Sequence, residues 1–366
     1  MMNREGLKIL VIAILISSIG LISIYSSTYQ KEGQLWQSIA QKQLLWVIVG
    51  IVCFLMMSRF YYRRFWDWTY VLYGIAVSLL FLVFMLGIVR LGAQRWLKFS
   101  WFNFQPTELM KLIVVVFLAR YFSLKSLDNV SLKISNLGLW RAFILPFIFV
   151  AVPVAMIIEQ PDLGSGIMIL CIFVTMLFMA NVRIQYFLML LGGVCLLLPV
   201  FWHYLRDYQK DRLLVFMNPN IDPLGAGYTV IQSKIAIGSG GFFGKGWLSG
   251  TQSQLHFLPE SHTDFIFASF SEEWGFLGCV ILFGLYFLLI KQGIEIAERT
   301  YDSFGKLLAF GISYMLGVQV LINIAMNLGL APVVGLPLPL MSYGGSSVFV
   351  TFVALGILAN ISNSRA

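Results

Sequence analysis

Long apolar runs alternate with short polar segments along the whole chain. The runs fall at about 8–27, 44–58, 67–88, 108–122, 140–158, 163–180, 184–202, 265–290, 306–328 and 343–361. Most of them approach the roughly 20 residues that a helix needs to cross a bilayer. The pattern predicts an all-α polytopic membrane protein with about ten transmembrane helices, built as a single domain over residues 1–366.

Composition supports this prediction. Of the 366 residues, 59% are hydrophobic and 11% are charged, whereas soluble domains carry roughly 25% charged residues. The first apolar run follows Arg4 and Lys8 and has no small-residue cleavage site, which is typical of a retained helix and not of a removed signal peptide. The four cysteines lie inside apolar runs, in no spacing that indicates a disulfide or a metal site.

Lysine and arginine, which favour the cytoplasmic side of a membrane, are unevenly distributed over the short loops. With the N-terminus inside, the short outer loops hold only Lys31, Lys42, Arg90, Arg95 and Lys98. We therefore expect cytoplasmic N- and C-termini and one long extracytoplasmic loop, about residues 203–263, between helices 7 and 8. The net charge of +8 is then a topology signal with some attraction to anionic lipid headgroups. No basic soluble domain supports nucleic-acid binding.

The first candidate site residues lie on the outer side, where Arg95 precedes Glu108 and Lys111. Pro106 fits the first position of a helix, so Glu108 lies in the first turn, where the helix dipole favours a negative charge. Lys111 shares the same helix face and can neutralise Glu108 inside the bilayer. The two residues either form a self-contained ion pair that fixes the helix or line a polar cavity.

Other acidic residues lie between or inside apolar runs. Asp162 precedes an apolar run and can cap its helix or line a cavity, and both alternatives stay open. Glu272 and Glu273 lie deeper, beyond the start of the run at about 265. As buried charges they are expected to pair with another helix.

The long outer loop carries polar candidates of its own, including Arg212 and Gln232. Residues 228–237 mix apolar and polar positions at near-helical spacing, which predicts a helix on the membrane surface. The glycine-rich run 238–246, with Lys245, lacks the glycine and hydroxyl positions of a nucleotide-binding loop. Its amides and its lysine can cradle a lipid pyrophosphate, or the run can be a flexible loop or a tight turn.

The loop ends in residues 257–267, where Glu260, His262 and Asp264 lie directly before a long apolar run. A carboxylate at the membrane surface that has neither a partner nor a function carries a free-energy cost. Either Asp264 or Thr263 caps the helix, or the polar side chains form a site. The histidines lack the spacing of a zinc site, so His262 is expected to be a local hydrogen-bonding partner.

Residues 329–347 contain prolines and glycines that should break regular helix on the outer side. Irregular backbone at membrane depth persists only against protein or a wet cavity. This segment, which includes Ser342 and Ser346, is therefore expected to form a wall of the same chamber as Asp264.

Five ordered motifs along nearly the whole chain resemble those of the SEDS family (shape, elongation, division and sporulation). They are Arg95-Trp96 with 105–111, then 160–164, 238–246, 257–267, and 337–339 with 342–346. The resemblance implies a peptidoglycan glycosyltransferase that polymerises lipid II at the outer face of the bacterial cytoplasmic membrane during elongation.

The resemblance also implies roles for residues. Asp264 is expected to be the general base, which accepts the proton of the acceptor GlcNAc 4-hydroxyl while that oxygen attacks MurNAc C1 of the donor. An α-linked donor and a β-1,4 product require inversion in one displacement. Lys245, Lys111 or a divalent cation (Mg²⁺ or Mn²⁺, ligands unidentified) would stabilise the undecaprenyl pyrophosphate that leaves. Glu108 is expected to face the catalytic chamber.

Implied partners are a class B penicillin-binding protein, which crosslinks the glycan, and other membrane proteins of the elongation complex. The short tails, 1–6 and 361–366, are more typical of elongation members than of division members. Two other functions stay open, a lipid flippase or transporter and a non-catalytic scaffold of the cell-wall machinery. A flippase needs polar residues along a route to both faces, and a scaffold needs neither Asp264 nor Glu108.

Overall fold

The computed structural model describes residues 3–29, 34–90, 93–98, 103–127, 138–189, 207–223 and 227–364, and positions 192, 193, 196, 203 and 225. The described chain is mainly helical. Its α-helices are α1 Arg4–Thr28, α2 Gln34–Arg59, α3 Arg64–Leu86, α4 Pro106–Leu127, α5 Leu145–Glu159, α6 Leu163–Met179, α7 Asp207–Met217, α8 Tyr228–Ser239, α9 Thr251–Gln254, α10 Ile266–Arg299, α11 Ser303–Asn327 and α12 Gly345–Asn363. A π-helical turn, Trp140–Ile144, leads into α5, and a 3₁₀ turn, Pro219–Ile221, follows α7.

Length and apolar composition decide which helices can cross a membrane. In the described part of the chain, seven qualify: α1, α2, α3, the segment Trp140–Glu159, α10, α11 and α12. The apolar runs predicted from the sequence coincide with α1–α6 and α10–α12. The remaining run, at about 184–202, is helical at 184–189 and otherwise lies mostly outside the described residues. The prediction of an all-α polytopic membrane protein is confirmed.

Burial separates central helices from peripheral ones. In the membrane-spanning windows, 83% of the residues of α12 and 72% of those of α11 are buried, against 22% in α2 and in α3. α11 and α12 therefore form the centre of the bundle, and α4 packs against α11. Many apolar side chains of α2 and α3, such as Ile48 and Phe81, are exposed, as expected for helices in contact with lipid.

The two ends of the described chain lie at the same end of the bundle. The Asn3 amide donates to Asn363 Oδ1 at 2.8 Å, and Arg299 at the end of α10 pairs with Glu5 at 2.9 Å. Asp264 lies at the opposite end, directly before α10 begins. A common side for both ends agrees with the topology expected from the charges, and its assignment to the cytoplasm stays a prediction.

A small antiparallel sheet, which the apolar pattern does not predict, lies between α3 and α4. Its strands, in the order β1-β2-β3, are β1 Ile88–Arg90, β2 Ala93–Lys98 and β3 Asn103–Phe104. Ile88 pairs with Trp96, and Leu97 pairs with Phe104. β1 and β3 have three and two residues, too few for an alternating pattern, and the six residues of β2, AQRWLK, do not alternate between polar and apolar. Strand β2 places Arg95 on the same face as the buried Leu97.

The segment between α6 and α10 is folded where it is described. α8 coincides with the helix predicted over 228–237 and packs against α10 and α11. The Ser233 hydroxyl of α8 donates to the Asn327 carbonyl at the end of α11, at 2.7 Å. The outer segment is thus fixed to the central helices, although residues 204–206 of the predicted loop lie outside the described residues.

Candidate functional site

Asp264 lies in a tight turn that ends where α10 begins. Glu260 adopts a left-handed backbone conformation, with φ of 50°, and its carbonyl accepts hydrogen bonds from the amides of Thr263, at 3.1 Å, and Phe265, at 3.3 Å. Phe265 occupies the N-cap position of α10, which has no side-chain cap. The alternative that Asp264 or Thr263 caps this helix is therefore wrong.

The backbone around Asp264 is held by side chains from distant segments. Asn323 and Asn327 of α11 both donate to the Asp264 carbonyl, at 3.0 Å. The preceding carbonyl, that of Thr263, accepts a hydrogen bond from the Ser342 hydroxyl at 2.7 Å. The position of the carboxylate is thus fixed from outside its own turn, as the precise placement of a catalytic group requires.

The Asp264 carboxylate is partly exposed, yet the surrounding protein removes much of its hydration. Desolvation is the main cause that raises the pKa of Asp264 to about 6, and the charge of Glu260 adds to the rise. Arg212 and Arg95 oppose it, and Asp162 adds a smaller increase. The fold therefore brings these four predicted site residues close enough to act on the charge of Asp264.

Asp162 both caps a helix and faces Arg95. As the N-cap of α6, it accepts hydrogen bonds from the Ser165 amide at 3.2 Å and the Ser165 hydroxyl at 2.9 Å. Its Oδ1 also lies 3.8 Å from the Arg95 guanidinium, which donates to the carbonyls of Gln160, at 3.2 Å, and Pro161. The cap is confirmed, and the same carboxylate lies at the edge of the candidate site.

Glu108 and Lys111 form a buried ion pair on α4. Lys111 Nζ lies 2.8 Å from Glu108 Oε1, and neither side chain is more than 5% exposed. Lys111 also donates to Gln319 Oε1 of α11 at 2.9 Å, and the Gln319 side-chain amide donates to the Pro337 carbonyl at 2.9 Å. The pair is therefore not self-contained, because it is linked to the irregular segment before α12. That Glu108 faces a substrate chamber stays a prediction.

The irregular segment before α12 forms a wall beside this turn. The Tyr343 amide donates to the His262 carbonyl at 2.9 Å, and the two rings lie 5.9 Å apart. Gly335 is close to the carboxylate, since a Cβ atom placed on it would lie 3.5 Å from Asp264 Oδ2. Ser346, at the start of α12, accepts a hydrogen bond from the backbone amide that precedes α4, at 3.0 Å. The wall expected from the proline and glycine pattern is present, and its serines hold backbone together.

The glycine-rich run lies against a break in α10. Gly275 interrupts this helix with φ of 63°. The amides of Lys245 and Gly246 donate to the carbonyls of Glu272 and Glu273, both at 3.0 Å. Two amides beyond the break donate back to carbonyls of the loop, at 3.0 and 3.1 Å. The loop therefore supplies partners for backbone groups that the break would leave without hydrogen bonds at membrane depth. Because the amides of Lys245 and Gly246 already donate to α10, they are not free to cradle a pyrophosphate.

The two glutamates before the break have partners on different elements. Lys245 Nζ lies 2.8 Å from Glu272 Oε1, and the Ser26 hydroxyl of α1 donates to Glu273 Oε1. The expected pairing with another helix is therefore found for Glu273, whereas Glu272 pairs with the glycine-rich loop.

Lys245 and Gln232, like Glu108, Lys111 and Ser346, make no direct contact with Asp264 in the described part of the chain. Lys245 pairs with Glu272, which lies eight residues further along the chain than Asp264. Gln232 lies on α8 and is half-buried. Substrate binding by these two residues stays a prediction.

The amides that hold the Asp264 turn and the segment beside it are not among the residues predicted from the sequence. Gln319, Asn323 and Asn327 recur every four residues inside the apolar run of α11, which places them on one helix face. Gln43 of α2 has a similar role, because its side-chain amide donates to the Ser342 carbonyl at 3.0 Å. Amide side chains at helical spacing within an apolar run are the signal that identifies such residues.

A metal site is not formed by the described residues, among which no three His, Cys, Asp or Glu side chains are grouped to hold an ion. The acidic groups that act on Asp264 are offset instead by Arg95 and Arg212. The described residues therefore offer no ligand set for the expected Mg²⁺ or Mn²⁺ ion. Its presence stays a prediction, and no chemical step is assigned to it.

Comparison with known proteins decides the family. A model of the FtsW/RodA/SpoVE family, described as cell cycle proteins, matches residues 7–366. The chain belongs to this family. A curated family member, the peptidoglycan glycosyltransferase MrdB of Escherichia coli (strain K12), is 40% identical over 343 residues, which cover 93% of this chain and 89% of that protein. The resemblance inferred from the five motifs is confirmed.

Solved structures of FtsW/RodA/SpoVE proteins have the same fold. RodA of Thermus thermophilus matches with a TM-score of 0.71 and 27% identity, over 98% of this chain and 96% of that one. A chain from a peptidoglycan synthase complex, in which polymerization and crosslinking are coordinated, matches with a TM-score of 0.81 and 31% identity. That match covers 98% of this chain and 97% of the other. This FtsW/RodA/SpoVE family member is a multi-pass membrane protein with the RodA fold.

Proposed function

We propose that this protein is a peptidoglycan glycosyltransferase that polymerises lipid II. The observation that carries the proposal is the Asp264 carboxylate, which is desolvated, acted on by two arginines and fixed through its backbone. The family supports the reaction class, because its member MrdB of Escherichia coli is named a peptidoglycan glycosyltransferase.

Asp264 is the general base of the proposed reaction. It accepts the proton of the acceptor GlcNAc 4-hydroxyl while that oxygen attacks C1 of the donor MurNAc. The bond from C1 to undecaprenyl pyrophosphate breaks in the same step, so the configuration at C1 is inverted. Because the pKa of Asp264 is about 6, the carboxylate is mostly ionised at neutral pH and binds a proton more tightly than an ordinary aspartate does.

Arg95 and Arg212 are the cations that we assign to the leaving pyrophosphate. Both act on the charge of Asp264, and a guanidinium group matches two phosphate oxygens at once. Lys111 and Lys245 are less suited, because each lies 2.8 Å from a glutamate, whereas Arg95 lies 3.8 Å from Asp162 and acts on the charge of Asp264. Negative charge develops on the pyrophosphate as its bond breaks, and fixed cations stabilise that charge.

A lipid flippase and a non-catalytic scaffold are the alternatives. A flippase needs a polar route between both membrane faces, whereas the charged pair on α4 is buried and bonded to α11. A scaffold has no need of a desolvated carboxylate whose backbone is held by residues of α11 and of the segment before α12. The catalytic proposal accounts for both observations.

The proposed setting is the outer face of the bacterial cytoplasmic membrane during cell elongation, with the Asp264 end exposed to the exterior. The basic residues of the predicted inner loops support this orientation. We assign a class B penicillin-binding protein as partner, supported by the fold shared with a chain of a complex that joins polymerization to crosslinking. Other elongation-complex membrane proteins, and a bound Mg²⁺ or Mn²⁺ ion, stay predictions of the resemblance.

Polymerisation of lipid II by the purified protein in detergent, with its penicillin-binding partner present, tests the proposal. The expected product is a ladder of glycan strands, measured by gel electrophoresis of labelled lipid II. A flippase has no second membrane face to serve in detergent, and a scaffold performs no chemistry. A folded protein that yields no glycan would contradict the proposal.

A further inference from the structure

A groove of about 570 Å³ lies between α1 and the C-terminal part of α10, at the end of the bundle opposite Asp264. Apolar side chains that are each about half exposed form one part of it: Leu7, Val11 and Leu288. Cationic side chains form another part: Arg4, Lys8 and Lys291. The groove therefore joins an apolar surface to a basic one, and the proposed glycosyltransferase reaction uses neither.

These cations lie at the depth expected for lipid headgroups. Beyond the break at Gly275, α10 continues for 24 residues to Arg299. This part is about 36 Å long at 1.5 Å per residue, which exceeds the roughly 30 Å of a hydrocarbon core. Its apolar run ends at Lys291, and the apolar run of α1 begins directly after Lys8. Lysines at such a boundary extend their ammonium groups toward the headgroup layer while their methylene groups stay on apolar surface.

The groove has an excess of positive charge. In the described part of the chain, its lining carries three cations and one carboxylate, that of Glu295. Glu295 is engaged by Lys291 at 3.8 Å and by Arg299 at 3.9 Å. Arg4 and Lys8 form no ion pair with a described carboxylate. Two exposed cations beside an apolar wall are therefore left for an anion that also carries hydrocarbon.

We propose that this groove is a binding site for an anionic phospholipid. Its phosphate lies between Arg4 and Lys8 and is joined by Lys291, which is exposed and lies 3.8 Å from Glu295. One acyl chain follows the apolar wall at Leu7 and Leu288. Charge complementarity selects an anionic headgroup, since basic surfaces at this depth attract anionic lipids. The site opens toward the leaflet at the termini, which the basic loops assign to the cytoplasm.

Native mass spectrometry of the purified, intact protein tests the site. The probes are phosphatidylglycerol and phosphatidylcholine with identical acyl chains, and inorganic phosphate. We expect a one-to-one adduct with phosphatidylglycerol that phosphatidylcholine does not match. Replacement of Arg4, Lys8 or Lys291 by Gln should in each case weaken the affinity for this lipid about five-fold, and the triple replacement should weaken it about 100-fold. These factors correspond to an attraction of about 1 kcal/mol per cation.

A matched control carries the same loss of charge at the same end of the bundle. Arg59, Arg64 and Lys306, all exposed, are replaced by Gln, and the adduct should persist. Glu295→Gln should strengthen the adduct, because it removes the groove's carboxylate. Equal weakening by the control variant, equal binding of phosphatidylcholine, or displacement of the lipid by inorganic phosphate would overturn the proposal.

Discussion

The acidity of Asp264 is set by the groups around it, and it fixes how the reaction should depend on pH. Desolvation and Glu260 raise the pKa to about 6, whereas Arg212 and Arg95 lower it. A general base must be ionised, so the rate of glycan synthesis should fall as the pH drops through about 6. The pH profile of kcat/KM for lipid II polymerisation, which reports the pKa values of the free enzyme, measures this acidic limb.

Substitution of the neighbours should move this limb in opposite directions. Glu260→Gln removes a like charge, lowers the pKa of Asp264 and moves the limb to lower pH. Arg212→Gln removes an opposite charge and moves the limb to higher pH. Movement of both profiles in the same direction, or of neither, would contradict the assignment of the limb to Asp264.

Glu108 and Lys111 should be energetically coupled, because both are buried and lie 2.8 Å apart. Removal of one partner leaves an uncompensated buried charge, which costs roughly 3 to 5 kcal/mol. Glu108→Gln and Lys111→Met should therefore each lower the thermal stability of the purified protein, and the double variant should lose less than the sum. Additive losses would show that the two side chains do not interact.

Individual residues show where prediction from the sequence stops. Asp264 and Asp162 could be selected because carboxylates at a membrane entrance are costly without a role. Asn323 could not, because it lies inside an apolar run and reaches the Asp264 carbonyl only through the packing of α11. Arg95 is a predicted site residue, but its pairing with Asp162 depends on a strand that no local pattern reveals. Lys245 has the residue type of a phosphate ligand, but the fold pairs it with Glu272.

At the scale of elements, α10 and the glycine-rich loop form one unit. The helix breaks at Gly275, and the loop supplies partners for the broken backbone. A Cβ atom on Gly244 would lie 2.1 Å from the Glu273 carbonyl oxygen, so only glycine allows this approach. Gly244→Ala should therefore displace the loop and lower the melting temperature of the purified protein.

Gly238→Ala is the matched control for that substitution. Gly238 lies on α8, and a Cβ atom there meets nothing within 4 Å. Alanine should be neutral or slightly stabilising at this helical position. Equal destabilisation by both substitutions would show that the contact between the loop and α10 is not the cause.

Elements differ in how well sequence predicts them. The long helices follow from apolar length, so α1–α6 and α10–α12 coincide with predicted runs. The break in α10 does not, because Gly275 lies inside an apolar run and the loop that stabilises it precedes it by some thirty residues. The small sheet does not follow from the sequence, because β3 has only two residues and β2 does not alternate between polar and apolar positions.

At the scale of the whole molecule, the end with Asp264 should face the exterior and the end with both termini should face the cytoplasm. Single cysteines at Asn220, in the outer segment, and at Tyr301, between α10 and α11, test this in a background without the four native cysteines. Both positions are exposed. An impermeant thiol reagent on intact cells should label the cysteine at Asn220 and not the one at Tyr301, and the reverse pattern would invert the topology.

The central claim is that the Asp264 carboxylate performs chemistry and does not merely hold the fold. Folding raises the pKa of Asp264 from 3.8 to about 6, so the folded state binds this proton more tightly than the unfolded state does. Its contribution to the free energy of unfolding therefore falls as the pH rises through this window. Above about pH 6 the ionised Asp264 carboxylate disfavours the folded state. Asp264→Asn removes this charge, so the variant should melt no lower than the unmodified protein.

The most direct measurement is therefore the rate of lipid II polymerisation by purified Asp264→Asn, with melting temperature recorded on the same preparation. Asp211→Asn, at an exposed position of α7, is the matched control and should keep its activity. Asparagine preserves the size of the side chain and cannot accept the acceptor's proton, so we expect a loss of roughly 10²-fold to 10⁴-fold with stability intact. Glycan synthesis by Asp264→Asn at the rate of the Asp211→Asn control would contradict the assignment of Asp264 as the base.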